Sequence, residues 1–232
     1  MALTEKLTGI ADAIRGKTGK TEALTLEQMA TEIATIETGG GGYTIDDLCL
    51  DNISGDIVIT AERIRKSAFR NMNNIREVTA NNCTTLEEAS FWGSGVTKVV
   101  MEKLVSTNAV ITGEFRECAN LKEAYFPSWR NKDSYYTFYN DKALEFFDGA
   151  INNIRQGDFQ NCNSLKVLVL RYDGVVNLQS VSNLTGTTLT NGELIVYVPA
   201  KCLEAYKTAT NWSTKYTAGN LAFVAIEGSV YE

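Results

Sequence analysis

The 232-residue sequence predicts a β-rich solenoid, in which short parallel strands stack one repeat upon the next. The first observation is a phenylalanine that recurs at intervals of 22, 24, 23 and 21 residues. The second is an aliphatic residue that follows each phenylalanine by six residues, or by five in one repeat. The third is a largely alternating apolar pattern after the aliphatic residue, which is typical of a strand. Together they predict about five repeats of 21–24 residues.

Each repeat begins at its phenylalanine and continues into its strand. The phenylalanines are Phe69, Phe91, Phe115, Phe138 and Phe159, and the aliphatic residues are Ile75, Val96, Leu121, Leu144 and Leu165. Counting from the aliphatic residue, we expect the first, fourth and sixth strand residues to point inward and the third and fifth to point outward. The strands must be parallel, because each repeat can bury its apolar edge only against its neighbours.

Two repeats depart from the pattern, and we expect local bulges there. The second repeat is one residue short before its strand. In the fourth, Asp141 stands three residues after the phenylalanine, a position filled by Met72, Cys118 and Cys162 in the first, third and fifth. A position that accepts Cys or Met is a packing slot, so Cys118 and Cys162 are predicted to be buried and inert thiols.

The chain is predicted to have three parts. Residues 1–37 form a short helical hairpin, because apolar residues recur there at helical spacing. Residues 38–44, TGGGGYT, form a Gly-rich linker. Residues 45–232 form the solenoid with its caps, which cover the apolar surface and free strand edges at its ends.

The two caps are predicted from the segments that flank the repeats. Residues 43–64 are expected to form the N-terminal cap, with a strand pair near Leu48 and residues 57–59. The C-terminal cap is expected to be strand–helix–strand. Pro199 opens its helix, and residues 221–228 supply its last strand.

The repeated phrase I-x-x-x-A-F-x-x-C/M-x-x-L-x-x-V, read from Ile64 to Val78, resembles the BspA-like leucine-rich repeats. The unit length also lies in the leucine-rich-repeat range. The ending IVYVPAKCLEAYKTATNWSTKY resembles the closure that follows such arrays. The resemblance covers residues 45–232 and implies a leucine-rich-repeat solenoid with a binding role.

The head of the chain carries a second resemblance, confined to its first 36 residues. LTEKLTGIADAIRGKTGKTEALTLEQMATEI is similar to a short N-terminal module of tail-associated proteins in phages and prophages. The resemblance implies that residues 1–37 attach the solenoid to phage tail or baseplate proteins. The favoured function is therefore a non-enzymatic, tail-associated recognition protein that binds a bacterial host-surface protein or glycan. The alternative is a BspA-like adhesin on a bacterial cell surface, which binds host or neighbouring-cell proteins.

Composition narrows the partners and the location. The net charge of −6 weighs against nucleic acid, because phosphate binding needs a basic patch. No apolar run is long enough to span a membrane, and the N-terminus lacks the continuous apolar stretch of a signal peptide. The predicted location is a virion tail or the extracellular cell surface. Assembly into a homo-oligomer is compatible with the sequence.

Catalysis, cofactors and metals are not predicted. The chain has no histidine, which excludes His-based triads and His metal ligands. RGKTGKTEALT, residues 15–25, looks like the end of a phosphate-binding loop. However, Ile14 and Ala11 stand where its first glycine must be. An enzyme acting on wall polymer is a third hypothesis, which no catalytic arrangement in the sequence favours.

The first candidate site is the outward face of the strands, where repeat proteins usually bind partners. Its apolar residues would form a stripe between charged ones, and exposed apolar patches often mark binding surfaces. The alternative is that the hairpin or a loop covers the stripe. The outward residues are Glu77, Thr79, Lys98, Val100, Glu123, Tyr125, Phe146, Asp148, Val167 and Val169.

The second candidate site is an aromatic loop between the third and fourth strands. Its residues are Trp129, Tyr135, Tyr136 and Tyr139. Aromatic side chains with polar neighbours suit sugar stacking or a protein hot spot. The alternative is that these rings pack in the core. Asp46, Asp47 and Asp51 match no calcium-loop spacing and are expected to be solvated or to cap a helix.

Overall fold

The computed structural model describes residues 8, 10–15, 21, 23–25, 54–107, 112–130 and 133–232. The chain divides into two units, Met1–Asn52 and Ile53–Glu232. In the first unit, residues 8 and 10–15 are helical. Ala11 and Ile14 are buried on this helix, and Ile10 and Leu24 pack against them. The predicted linker, residues 38–44, lies outside the described residues, as do Asp46, Asp47 and Asp51.

The second unit is built from short parallel strands. They are β1 (Gly55–Val58), β2 (Arg63–Ile64), β3 (Ile75–Thr79), β4 (Thr85–Leu86), β5 (Lys98–Val100), β6 (Ser106–Thr107), β7 (Glu123–Phe126), β8 (Phe146–Gly149), β9 (Asn153–Ile154), β10 (Val167–Leu170), β11 (Asn177–Leu178), β12 (Leu194–Val198) and β13 (Leu221–Ala225). Eight of them form one sheet in the order β1-β3-β5-β7-β8-β10-β12-β13. The short strands form a second face, as the sheets β2-β4-β6 and β9-β11. The chain therefore coils, and each coil adds one strand to the long sheet.

The register of the long sheet aligns equivalent residues of successive repeats. Third residues pair in one row from Glu77 through Lys98 and onward, and fifth residues pair in another from Thr79 through Val100. The predicted inward residues are buried, among them Leu121, which begins the third strand segment. Cys118 and Cys162 are buried free thiols, as predicted.

The five repeat phenylalanines stack inside the solenoid. Successive ring centroids lie 4.9, 5.2, 5.4 and 5.4 Å apart from Phe69 to Phe159, with interplanar angles of 5–10°. The N–H of each phenylalanine donates to the carbonyl just before the next one. Phe159 donates in the same way to Asn183, which places Leu184 in the phenylalanine position of a further coil. Leu184 is fully buried, and its lack of an aromatic ring hid this coil from the sequence pattern.

The turn around each phenylalanine uses left-handed backbone on both sides. Residues two before and two after all five phenylalanines have φ between 55° and 73°. They are Ser67, Asn71, Ala89, Gly93, Gly113, Glu117, Tyr136, Asn140, Gly157 and Asn161. Only Gly and Asn adopt this conformation routinely, so the stacked coil imposes it on the others.

The shortened second repeat is accommodated in its turn and not in its strand. A side chain at Gly95 would place its Cβ 2.3 Å from the backbone oxygen of Asn73, so only glycine fits. The pairing of β5 and β8 with their neighbours shows no register shift, so the bulges predicted in the second and fourth repeats are wrong. The irregularity lies between β1 and β3.

The segments at the two ends of the solenoid join the long sheet. β1 is its first strand and pairs parallel to β3, while Leu48 lies outside the described residues. After β12 come α1 (Leu203–Thr208) and α2 (Trp212–Thr217), and then β13. The backbone of Val176 holds these helices in place: its N–H donates to the Tyr206 hydroxyl at 2.9 Å, and its carbonyl accepts from the Trp212 indole at 2.8 Å.

Candidate functional site

The outward side of the long sheet, called the strand face below, carries all ten residues predicted for it. Their two rows cross β3, β5, β7, β8 and β10 side by side. Glu77 is exposed, and Val100, Tyr125, Phe146 and Val167 are half-buried. Rings meet across the strands, since the centroids of Tyr125 and Phe146 lie 5.0 Å apart. The alignment thus produces a continuous aromatic and aliphatic surface.

Two of the ten residues are buried, which corrects the expectation of exposure. Val169 is fully buried, because the ring of Tyr231 lies above its strand. Tyr231 contacts Phe146 on one neighbouring strand at 5.4 Å and Tyr197 on the other at 4.7 Å. Asp148 is buried by its ion pair with Arg171. The stripe is therefore partly covered, and in the described structure the cover comes from the end of the chain.

A shallow pocket of about 510 Å³ opens on the strand face. Lys98, Val100, Tyr125 and Asp148 line it, and all four belong to the predicted set. Its volume lies in the range of small-ligand sites. The sequence alignment and the surface geometry therefore converge on the same place, at β5, β7, β8 and β10.

The pocket also has lining residues that the sequence analysis did not predict. They are Glu102, Pro127 and Arg171. Each is the seventh residue from the first aliphatic residue of its repeat, so each continues the outward third and fifth positions. Extending the alternation by one residue would have found all three.

One wall of the pocket is a coupled set of polar groups around Tyr125. The Tyr125 hydroxyl donates to Glu123 Oε2 at 3.1 Å, and Lys98 Nζ lies 3.0 Å from the same carboxylate. Lys98 Nζ also lies 5.2 Å from the centre of the Tyr125 ring. Burial, then the hydrogen bond to Glu123, raises the pKa of Tyr125 to about 12. The hydrogen bond from Lys98 lowers the pKa of Glu123, so at neutral pH Tyr125 is a neutral phenol beside the Glu123 carboxylate.

The opposite wall is a bidentate ion pair. Arg171 Nε lies 2.6 Å from Asp148 Oδ1, and Nη2 lies 2.8 Å from Oδ2. The hydrogen bonds to Asp148 raise the pKa of Arg171. This geometry is the strong, planar form of an ion pair. It fixes the position of the guanidinium, whose Nη2 also donates to the Tyr231 carbonyl at 2.9 Å.

The predicted aromatic loop does not form one cluster. Trp129 is fully buried and packs edge-on against Phe126, with ring centroids 5.1 Å apart. Its prediction as a ligand contact is therefore wrong, and the alternative of core packing holds for this residue. Tyr135 lies beside Arg155, whose Nη1 donates to the Tyr135 hydroxyl at 3.0 Å. Tyr136 and Tyr139 form an edge-to-face pair elsewhere, at 5.5 Å.

Tyr139 belongs to a second row, called the turn edge below, that the sequence analysis did not predict. It consists of the residues that immediately follow the phenylalanines. The guanidinium carbons of Arg70 and Arg116 lie 4.6 and 4.5 Å from the centre of Trp92, and that of Arg116 lies 5.1 Å from Tyr139. Comparing the same repeat position across repeats would have found this row.

The strand face and the turn edge both carry aromatic rings beside charged side chains. Among the described residues, no three or more His, Cys, Asp or Glu side chains are grouped to hold a metal ion. In the part of the chain that the structure describes, no helix has the length and apolar character needed to cross a membrane. The strand face offers rings, a fixed guanidinium and an ammonium group, which can hold a ligand with a flat face and polar edges.

The repeats match a known family. The family described as "BspA type Leucine rich repeat region" matches residues 46–166 in six copies, which is just over half of the chain. The chain belongs to the BspA-type leucine-rich repeat family. The parallel sheet and its regular coils agree with that assignment. The matched range starts after the head of the chain, so the resemblance to a phage-tail module remains a prediction.

Other comparisons are distant. A solved structure of a leucine rich cell surface protein from Faecalibacterium prausnitzii A2-165 is similar at 14% identity, with a TM-score of 0.34. The likeness covers 78% of this chain and 62% of that one, so this chain spans less than two thirds of its length. No curated protein is recognisably similar to this chain in sequence.

Proposed function

We propose that this BspA-type chain is a non-enzymatic adhesin of a bacterial cell surface, and that its strand face binds a protein or glycan on another surface. The pocket carries the proposal, because it forms where the aligned outward residues of four repeats meet. Half-buried aromatic rings beside ion pairs are typical of binding surfaces. Family membership supports the surface location.

A phage-tail function rests on the sequence resemblance of residues 1–36 alone. Most of these residues lie outside the described part of the chain, and the family match begins at residue 46. The comparisons give that interpretation no support, so the adhesin is the function we propose. Finding the gene among tail genes would favour the phage-tail function instead.

Binding of the purified protein to whole cells and to their surface-protein and glycan fractions tests the proposal. The double variant Tyr125→Ala, Phe146→Ala removes two touching rings from the strand face. We expect it to reduce binding at least about tenfold, since hot-spot aromatics each contribute more than 1 kcal/mol.

The matched control is Trp92→Ala, Tyr139→Ala, which removes two rings from the turn edge. We expect it to bind like the wild type. If only this control variant lost binding, the turn edge would be the binding surface. Wild-type protein that binds no surface fraction, or that hydrolyses a wall polymer, would contradict the proposed function itself.

A further inference from the structure

The last five residues, Gly228–Glu232 and here called the tail segment, fold back onto the strand face. Gly228 has a φ of 78°, which reverses the chain after β13. The Tyr231 ring then descends between Phe146 and Tyr197, while Val230 stays 89% exposed. The geometry of the turn therefore places Tyr231, and not Val230, against the strand face.

The tail segment holds its shape with its own hydrogen bonds. Gly228 N–H donates to Glu232 Oε2 at 2.9 Å, and Tyr231 N–H donates to Ser229 Oγ at 3.1 Å. Its turn begins with the Ser229 N–H donating to the Ile226 carbonyl at 3.0 Å. The segment can thus leave the strand face without unfolding β13.

The site that holds Tyr231 on the strand face, called the seat below, contacts both the side chain and the main chain of this residue. Its ring lies edge-to-face with Tyr197, at 73°, and tilted against Phe146, at 37°. Its main-chain carbonyl accepts a hydrogen bond from Arg171 Nη2 at 2.9 Å, and the guanidinium is fixed by Asp148. An aromatic side chain and the carbonyl of the same residue are recognised together, which a sugar ring does not offer.

The seat is continuous with the pocket. Arg171 belongs to both, and the aromatic row runs from Tyr125 to Phe146 and then to Tyr231. We propose that the strand face binds a peptide segment that presents an aromatic residue, and that Tyr231 occupies this subsite as an intramolecular competitor. This rests on the proposed function and names its ligand class. The tail segment must leave for a partner to bind across β8, β10 and β12.

The experiment uses a fluorescent peptide with the sequence of residues 226–232, IEGSVYE, and a matched peptide carrying Tyr231→Ala. Binding to full-length protein is followed by fluorescence anisotropy. A tethered segment competes at an effective concentration on the order of millimolar. We therefore expect the Tyr231→Ala protein to bind the tyrosine peptide at least tenfold more tightly than the wild type does, and to discriminate against the alanine peptide.

Control variants make the outcome decisive. Tyr231→Phe keeps the ring and should behave as the wild type, while adding Tyr197→Ala to Tyr231→Ala should abolish peptide binding. If thermal melting shows that the Tyr231→Ala protein does not fold, the Tyr231→Leu protein takes its place in the experiment. Leucine still covers β10 with an apolar side chain but has no aromatic ring. Equal binding by the wild-type and Tyr231→Ala proteins, equal binding of both peptides, or no saturable binding would overturn the inference.

The two proposals fail separately. Peptide binding without attachment to any cell fraction would keep the aromatic subsite and remove the surface function. Attachment to cells that is lost in Tyr125→Ala, Phe146→Ala but unaffected by Tyr231→Ala would keep the surface function and remove the competitor.

Discussion

Asp141 is fully buried three residues after Phe138, where neighbouring repeats carry Cys118 and Cys162. Its Oδ1 accepts a hydrogen bond from the Cys118 N–H at 2.8 Å, whereas its Oδ2 has no hydrogen-bond partner. Burial raises the pKa of the Asp141 carboxyl well above its usual range, and the charge of Glu117 raises it further. The folded state therefore favours the protonated carboxyl.

Replacing this carboxyl by the thiol of the neighbouring repeats should stabilise the fold. Both Cys118 and Cys162 donate their thiols to the carbonyl of the preceding repeat's phenylalanine at 3.0 Å. We expect Asp141→Cys to raise the free energy of unfolding at neutral pH by about 1–3 kcal/mol, the usual penalty of a buried unsatisfied polar group. Denaturant unfolding measures it.

The gain should grow with pH. Above about pH 4 the unfolded carboxyl ionises while the folded one keeps its proton. The wild type therefore loses stability as pH rises, until the folded carboxyl ionises as well, and Asp141→Cys does not. Asp173→Asn, at an exposed carboxylate, is the control and should stay within about 0.5 kcal/mol of the wild type. A constant difference across pH would contradict the assigned ionisation.

The burial of single residues was predictable where the same position of several repeats carries similar side chains. The shared Cys and Met position correctly predicted two buried thiols, Cys118 and Cys162. The left-handed backbone of Ala89, Glu117 and Tyr136 was not predictable, because none of these residues favours that conformation. It is imposed by the hydrogen bonds between successive turns, which no single repeat contains.

At the scale of elements, the phenylalanine stack links one coil to the next. Its centroid spacing of 4.9–5.4 Å is close to the separation of neighbouring strands, since each ring rises by one coil. Phe126 and Phe147 pack against the stack from the long sheet, with Phe147 lying 5.2 Å from Phe159. Successive coils are therefore separated by about the same distance in the phenylalanine stack as in the long sheet.

A double-mutant cycle across the stack measures this link. Leucine suits the turn, because Leu184 holds the equivalent position in the next coil. For Phe91→Leu with Phe115→Leu we expect a coupling of about 0.5–1.5 kcal/mol, the value of one aromatic pair. Chemical denaturation of the four proteins gives the coupling.

The comparison pair is Phe69→Leu with Phe138→Leu. These two rings lie at different levels of the stack, with Phe91 and Phe115 between them. Their effects should add within about 0.5 kcal/mol. Equal coupling in both pairs would mean that the stack does not act through neighbouring rings.

Element prediction succeeded for long strands and missed short ones. The strand that follows Leu165 has a periodic apolar pattern and was predicted with its inward residues. β2, β4, β6, β9 and β11 have two residues each, too few to show any period. They become strands because the coil places them beside their equivalents in the next repeat.

At the scale of the whole molecule, the strand face was predictable but its cover was not. The pairing of third and fifth positions follows from repeat arithmetic, so most of the pocket could be named in advance. The contact of Tyr231 with Phe146 joins residues far apart in sequence and outside the repeat pattern. Such a contact depends on the path of the chain after β13, which local patterns do not encode.

The whole solenoid should unfold with its coils coupled, and its thiols can report this. Cys118 and Cys162 lie fully buried two repeats apart, and burial raises the pKa of each thiol. Thiol alkylation needs an exposed thiolate, so neither should react in the native state. Repeat proteins unfold through nearest-neighbour coupling, and here both the stack and the sheet bridge the intervening coil. We therefore expect both thiols to become reactive at the same denaturant concentration, measured residue by residue by mass spectrometry. Separate midpoints would show that the solenoid breaks between them.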